Sequence, residues 1–257
     1  MARVVRGLDG CAGGWVAVTL VDGKVSDVEV VATLGGVPDD DTILGVDMPI
    51  GLLDEPVCDA DAAARKRLRG QASSVFNAPP RTVLDGYLAG EILDHATAAD
   101  RSRIATGKGI SQQSWALVPK IAELDAVVRA GREVLEVHPE VAFAEVAGEV
   151  LPRKRSWAGI AMRTRLLEHL GIELPSRFPG DRCPPDDVVD AAICAWVADG
   201  VARGLPSVTY PERPSQYDPT HRARAIVIVA RALSGREREQ ALSAAVGKGE
   251  VGEYAPR

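Results

Sequence analysis

The sequence lacks several features that would announce a common activity. Its four cysteines, Cys11, Cys58, Cys183 and Cys194, form no C-x-x-C pair, which argues against a zinc knuckle or a dithiol redox motif. Aromatic residues make up only 4% of the 257 residues, so stacking platforms for single-stranded nucleic acid are sparse. The net charge is −6. No global positive field is available, and any contact with nucleic acid has to come from local basic patches. Arg3 and Arg6 stand near the start without an apolar signal core. No run reaches the roughly 18 apolar residues of a membrane span. These absences lead to the expectation of a cytoplasmic, soluble protein with reduced thiols and no membrane partner. Repeats and low-complexity segments are also missing. The stretch Gly107–Gln113 (GKGISQQ) is polar and glycine-bearing, but it does not have P-loop spacing.

What is present is a chain 46% hydrophobic, in which helical and strand patterns alternate. That favours an α/β architecture. Residues 3–9, 14–21 and 25–33 read as three strands, with Asp22-Gly23 as a two-residue hairpin turn. After a loop at 34–42, Ile43 to Asp47 forms a continuous apolar run, as in a buried parallel strand. Residues 54–130 read mostly as helices and loops. Within them, 59–69 is a helix closed by Gly70, and 119–130 is a helix with Pro119 in its first turn. A fifth strand spans Glu133 to His138 and is stopped by Pro139. An amphipathic helix with a basic start covers 153–170, and a helix apolar nearly all round covers 186–198. A late strand at 225–230, a capping box at Ser234 and Glu237, and a loose tail from Gly247 complete the reading.

Five acids stand out from this background. Asp9 ends the first strand among glycines, where it either shapes a turn or presents a carboxylate. Asp47 ends the fourth strand, at the edge where open α/β sheets bind ligands. Asp186 and Asp187 suit the first turn of their helix. Asp190 lies a turn further in, on the same face as Asp187, with Ile193 and Val197 continuing that face. Glu136 stands among Val134, Leu135 and Val137, while His138 fits the polar face of an edge strand. Several carboxylates cannot share a site unneutralised, because their repulsion protonates some of them. A hard divalent cation, Mg²⁺ or Mn²⁺, removes that repulsion. The expected metal ligands are Asp9, Asp47 and Asp190, completed by Asp187 or Glu136, in a site for phosphoryl transfer or phosphodiester hydrolysis. Arg65, Arg69, Arg81 and Lys120 are the candidate substrate-binding cations. For Arg65 and Arg69, a solvated basic helix end is the favoured explanation of the pattern.

The segments GLDGCAGGWVAV, GVDMPIGL, RLRGQASSVFNAPPR, GKGISQQSWALVPKIAELD, EVHPEVAF and DDVVDAAICAWVA resemble the DUF429 family of predicted ribonuclease H-like nucleases. The resemblance covers about residues 3–212. It implies a ribonuclease H-like fold, a mixed five-stranded sheet of order 3-2-1-4-5 flanked by helices, with Asp9 and Asp47 on adjacent strands and the late helix bringing Asp187 and Asp190 to them. Residues 1–212 are then one domain, with 213–257 a C-terminal extension. The helical insertion at 54–130 stands outside the core fold as a candidate lid. The implied function is a divalent-metal-dependent nuclease acting on DNA or RNA. A non-catalytic binding or regulatory protein that keeps the fold is the alternative. An actin-like ATPase needs a second glycine-rich Asp hairpin, and the chain shows one.

Overall fold

The computed structural model describes residues 2–176 apart from 39 and 41, residues 183–229 apart from 221, and residues 236, 237, 239 and 240. Five strands, β1 (Val4–Cys11), β2 (Gly14–Val21), β3 (Lys24–Val31), β4 (Ile43–Val46) and β5 (Val134–Glu136), form one sheet of order β3-β2-β1-β4-β5. The hairpin-linked β1, β2 and β3 run antiparallel. β4 and β5 add parallel to β1, which places the carboxyl ends of β1 and β4 side by side. The expected capping box at Ser234 and Glu237 and the tail from Gly247 lie outside the described residues or at their edge.

Side-chain alternation divides the sheet into two cores. Val5, Val16, Val18 and Leu20 face one way, against α5 (Pro139–Ala147), α6 (Trp157–His169) and α7 (Pro185–Ala202). Leu8, Trp15, Ala17, Leu44 and Val46 face the other way, against α2 (Arg81–Leu88) and α4 (Gln112–Arg129) of the insertion. The remaining insertion helices are α1 (Asp59–Leu68) and α3 (His95–Thr106). Beyond α7, β6 (Ser207–Tyr210) and β7 (Ile226–Val229) pair as an antiparallel ribbon. Among the described residues no helix is long and apolar enough to cross a membrane.

Two glycines decide how close α7 comes to the sheet. Gly7 and Gly45 are partners in the β1–β4 register. A Cβ on Gly7 would lie 1.9 Å from the Ala191 carbonyl oxygen, and one on Gly45 would lie 2.3 Å from the Cys194 carbonyl oxygen. The absence of both side chains opens a trough in which the helix backbone rests directly on the strands. Ala191, Cys194, Ala195 and Ala198 supply the matching small face.

The helix expected at 153–170 starts only at Trp157, and the one expected at 186–198 runs on to Ala202; three further boundaries also differ from expectation. The helix expected at 119–130 starts at Gln112, because the Ser111 hydroxyl accepts from the Ser114 backbone N–H at 3.0 Å and caps it there. Pro119 therefore lies inside the helix, on an exposed position. The helix at 59–69 ends at Leu68, and Arg69, at φ +39°, makes the turn that Gly70 was expected to make. The fifth strand is only three residues long, since His138 already caps α5.

Candidate metal centre

Asp9 and Asp47 reach the same spot because each stands two residues after one of the paired glycines. Alternation puts Gly7 and Asp9 on one face of β1, and Gly45 and Asp47 on that same face of β4. The parallel ladder continues past the strand end, where the Asp47 N–H donates to the Leu8 carbonyl at 3.0 Å. On α7, Asp190 lies one residue before Ala191, whose carbonyl meets Gly7. One carboxylate oxygen from each of Asp9, Asp47 and Asp190 lies within 4.8 Å of those from the other two.

The electrostatics show how crowded this cluster is. Burial and then the charges of Asp47 and Asp190 push the Asp9 carboxyl well above its ordinary range. Burial raises Asp47 to about 6 and Asp190 to about 7, in both cases against the lowering effect of Lys154. Asp187 is half-buried and close enough for its charge to act on Asp9 and Asp47, and its own carboxyl is raised by burial and by Asp186. One cation already stands in the site. Lys154, from the loop between α5 and α6, donates its ammonium to Asp190 Oδ2. Burial works against its charge, but Asp190 and Asp47 hold it protonated. Asp190 Oδ1 is buried and has no hydrogen-bond partner among the described residues. A buried oxygen left bare costs free energy unless some other group satisfies it. Three hard oxygen donors, one of them unpartnered, fit a divalent cation such as Mg²⁺ or Mn²⁺.

The other expected site residues fall into two groups. Lys120 lies on the Trp15 face of the strand end, opposite to Asp9 and Asp47, with its charge felt at Asp187: its stem passes over Gly10 at 2.8 Å from where a Cβ would be, and its ammonium stands 4.9 Å from the Trp15 ring centroid and donates to the Gly14 carbonyl. Glu136, in contrast, is not brought to the acids. It pairs with Val46 in the β4–β5 register and so points to the opposite face of the sheet from Asp47. There it accepts from the Ile50 N–H at 2.8 Å and is paired with Arg224. Arg65 is turned inward to the Val75 carbonyl at 3.1 Å and to Asn77 at 2.5 Å. Arg81 is buried between Asp85 and Asp125. Arg69 is exposed at the end of α1. Lys154 was the residue that sequence reasoning passed over. Its signal was the run Arg153-Lys154-Arg155, taken as the basic start of a helix.

The raised carboxyls give a pH dependence with a definite sign. Each binds more protons folded than unfolded between its unfolded value, about 4, and its folded value, about 6 for Asp47 and about 7 for Asp190. Their contribution to stability is therefore largest at low pH and declines as pH rises through the folded values. His138, lowered by burial to about 4, acts in the opposite sense but only below its unfolded value near 6.5. In EDTA, the melting temperature should fall from about pH 6.5 to about pH 8. Excess Mn²⁺ should flatten that fall. A melting temperature independent of pH in EDTA over this interval would contradict the clustering of ionisable acids.

The sheet and the cluster together define an α/β protein with a clustered-carboxylate site of the kind that divalent cations occupy. The chain belongs to DUF429, a family described as protein of unknown function, whose family model matches residues 7–215. No curated protein and no solved structure matches it.

Proposed function

We propose that the chain is a divalent-metal-dependent hydrolase of phosphodiester bonds in nucleic acid. The observation that carries this reading is the convergence of Asp9, Asp47 and Asp190 from β1, the end of β4 and α7, with a buried Asp190 oxygen left unpartnered. The sheet order and the position of the acids also agree with the ribonuclease H-like resemblance of the sequence. When bound, Mg²⁺ or Mn²⁺ supplies an activated water and charge stabilisation at phosphorus. Asp9, Asp47 and Asp190 would hold the cation. Lys154 holds the Asp190 carboxylate through Oδ2 and leaves Oδ1 without a partner among the described residues. Asp187, half-buried near the cluster with a raised carboxyl, would hold a proton during the reaction. Lys120, whose charge is felt at Asp187, would add positive charge near the strand end for a phosphate.

One observation favours a second reading. Lys154 already neutralises part of the cluster, so the same fold serves as a binding protein that takes no metal. Hydrolysis of a labelled oligonucleotide separates the two. A nuclease cleaves with Mn²⁺, stops in EDTA and falls to background in Asp9→Asn. If neither melting temperature nor cleavage responds to Mn²⁺ or Mg²⁺, the hydrolase reading is lost and the binding protein stands.

A further inference from the structure

The loop that carries Lys154 sends its side chains in opposite directions. Lys154 turns inward onto Asp190. Arg153, Arg155 and Trp157 turn outward. Trp157, the first residue of α6, is 89% exposed and has no hydrogen-bond or ring partner among the described residues. Arg153 is exposed, and its guanidinium is likewise without a partner among them. Arg155 reaches Asp186 at 3.1 Å with most of its side chain in solvent. In a chain so poor in aromatics, an indole left bare on the loop that carries Lys154 has no structural explanation: it contributes nothing to either core.

The loop is also held firmly from beneath. The fully buried Arg163 donates to the Pro152 carbonyl at 2.8 Å, to the Gly159 carbonyl at 2.9 Å and to Glu140 at 2.6 Å. Ser156 caps α6 by accepting from the Gly159 N–H at 3.0 Å, and its hydroxyl donates to the Arg153 carbonyl at 2.7 Å. Gly159 makes this fold of the loop possible, since a Cβ there would lie 2.0 Å from the Arg153 oxygen. Two residues separate Trp157 from Lys154, so their Cα atoms are at most about 11 Å apart. The loop backbone that presents Trp157 outward and Lys154 inward to Asp190 is therefore fixed before any ligand arrives.

We propose that Trp157 and Arg153 form a binding site for a single-stranded segment of nucleic acid, with an unpaired base stacked on the indole and a neighbouring phosphate on the guanidinium. The assignment rests on the phosphodiester reading above and narrows its substrate. An indole face takes a base only when that base is free of its own stack, which selects single strands, loops or ends over continuous duplex. A protein partner fits the surface less well. The exposed neighbours of Trp157 are Arg153, Arg155, Ser156 and Ala158, and one ring among charges is not the contiguous apolar patch that a protein interface buries.

Binding of a fluorescein-labelled oligothymidylate, and of the same strand in a duplex, is measured by anisotropy in Ca²⁺, with cleavage followed separately in Mn²⁺. Trp157→Ala should weaken single-strand binding about tenfold or more, and Trp157→Phe should keep most of the affinity. Arg153→Gln should make the slope of log affinity against log salt shallower by about 0.7. Both positions are exposed, so folding is not at stake. If wild type cleaves and Trp157→Ala binds single strands as tightly as wild type, the stacking site is overturned and the chemistry stands. If Trp157→Ala loses strand binding but wild type never cleaves, the chemistry is overturned and the stacking site stands. A wild type that neither binds nor cleaves overturns both.

Discussion

Lys154→Met and Asp190→Asn are expected to move the response to divalent metal in opposite directions. In EDTA near neutral pH, Lys154→Met should lose about 2–4 kcal/mol of stability, the lower part of the range for breaking a buried pair because the Lys154 side chain is still 30% exposed. The variant leaves three acids facing one another with no cation, and protonation is their only relief. Its deficit should therefore be larger at pH 8 than at pH 5. The same variant should gain more from Mn²⁺ than wild type, since a cation now meets three uncompensated charges. Asp190→Asn removes the least exposed carboxylate of the cluster, at 1%. Lys154 keeps Asp47 and Asp9 as counter-charges, and the amide oxygen can still accept from it. The loss of one desolvated charge and the loss of one ion pair oppose each other, so the EDTA melting temperature should stay close to wild type, within the shift of about 1 kcal/mol. Its Mn²⁺ response should largely vanish, because a neutral ligand holds a hard cation poorly. Melting curves of the three proteins with EDTA and with Mn²⁺ check both statements. A Lys154→Met protein as stable as wild type in EDTA, or an Asp190→Asn protein with the full metal shift, would contradict this account of the site.

Local sequence carried much of this site, and the reasons are specific. Asp9 and Asp47 each end an apolar run, and Asp190 sits one turn past the part of its helix where an acid has a dipole explanation. The sheet order came with the family resemblance, while the hairpin came from Asp22-Gly23. What was not read was the Gly-x-Asp spacing shared by Gly7-Leu8-Asp9 and Gly45-Val46-Asp47. It states that the face bearing each acid also has a gap for another backbone, and the close approach of α7 to Gly7 and Gly45 is the result. Glu136 stood out for being an acid among aliphatics, but the parity of β5 against β4 sets its face, and one sequence does not fix a register between distant strands. Arg81 has an i,i+4 partner in Asp85 that the sequence offered, but its burial depends on Asp125 of another helix. Lys154 and Arg224 were invisible for the same reason: a loop cation and a late extension gain meaning only once tertiary structure puts buried carboxylates beside them.

Arg224→Met should be among the most destabilising single substitutions in the chain, at about 3–5 kcal/mol, or about 10 °C in melting temperature for a protein of this size. Arg224 lies beyond the matched residues 7–215, with its side chain 1% exposed, between Asp61 of α1 at 3.1 Å and Glu136 of β5. Among the described residues it is the one cation paired with these two acids. Even with it in place, burial holds the Glu136 carboxyl above its ordinary value. Backbone bonds fix both acids further: Ile50 N–H donates to Glu136 at 2.8 Å, and Ala78 N–H to Asp61 at 3.3 Å. Methionine fills the volume of the arginine stem but leaves two buried carboxylates without a counter-charge. The penalty is therefore electrostatic, and it can be removed without restoring the arginine. Glu136→Gln and Asp61→Asn keep the acceptors for the backbone N–H groups and discard the charges, so the triple variant should recover most of the loss. The sign with pH follows. Without Arg224 the Glu136 carboxyl, already raised by burial, moves further above its unfolded value near 4, so the deficit is full near pH 8 and shrinks as pH falls toward 5. Glu136 faces away from the acid cluster, so below its melting temperature Arg224→Met should keep a wild-type Mn²⁺ shift. Urea titrations at both pH values, with and without Mn²⁺, measure all of this. A deficit that is the same at pH 5 and pH 8, and unrelieved in the triple variant, would show that Arg224 acts through packing of its stem and not by neutralising Glu136 and Asp61.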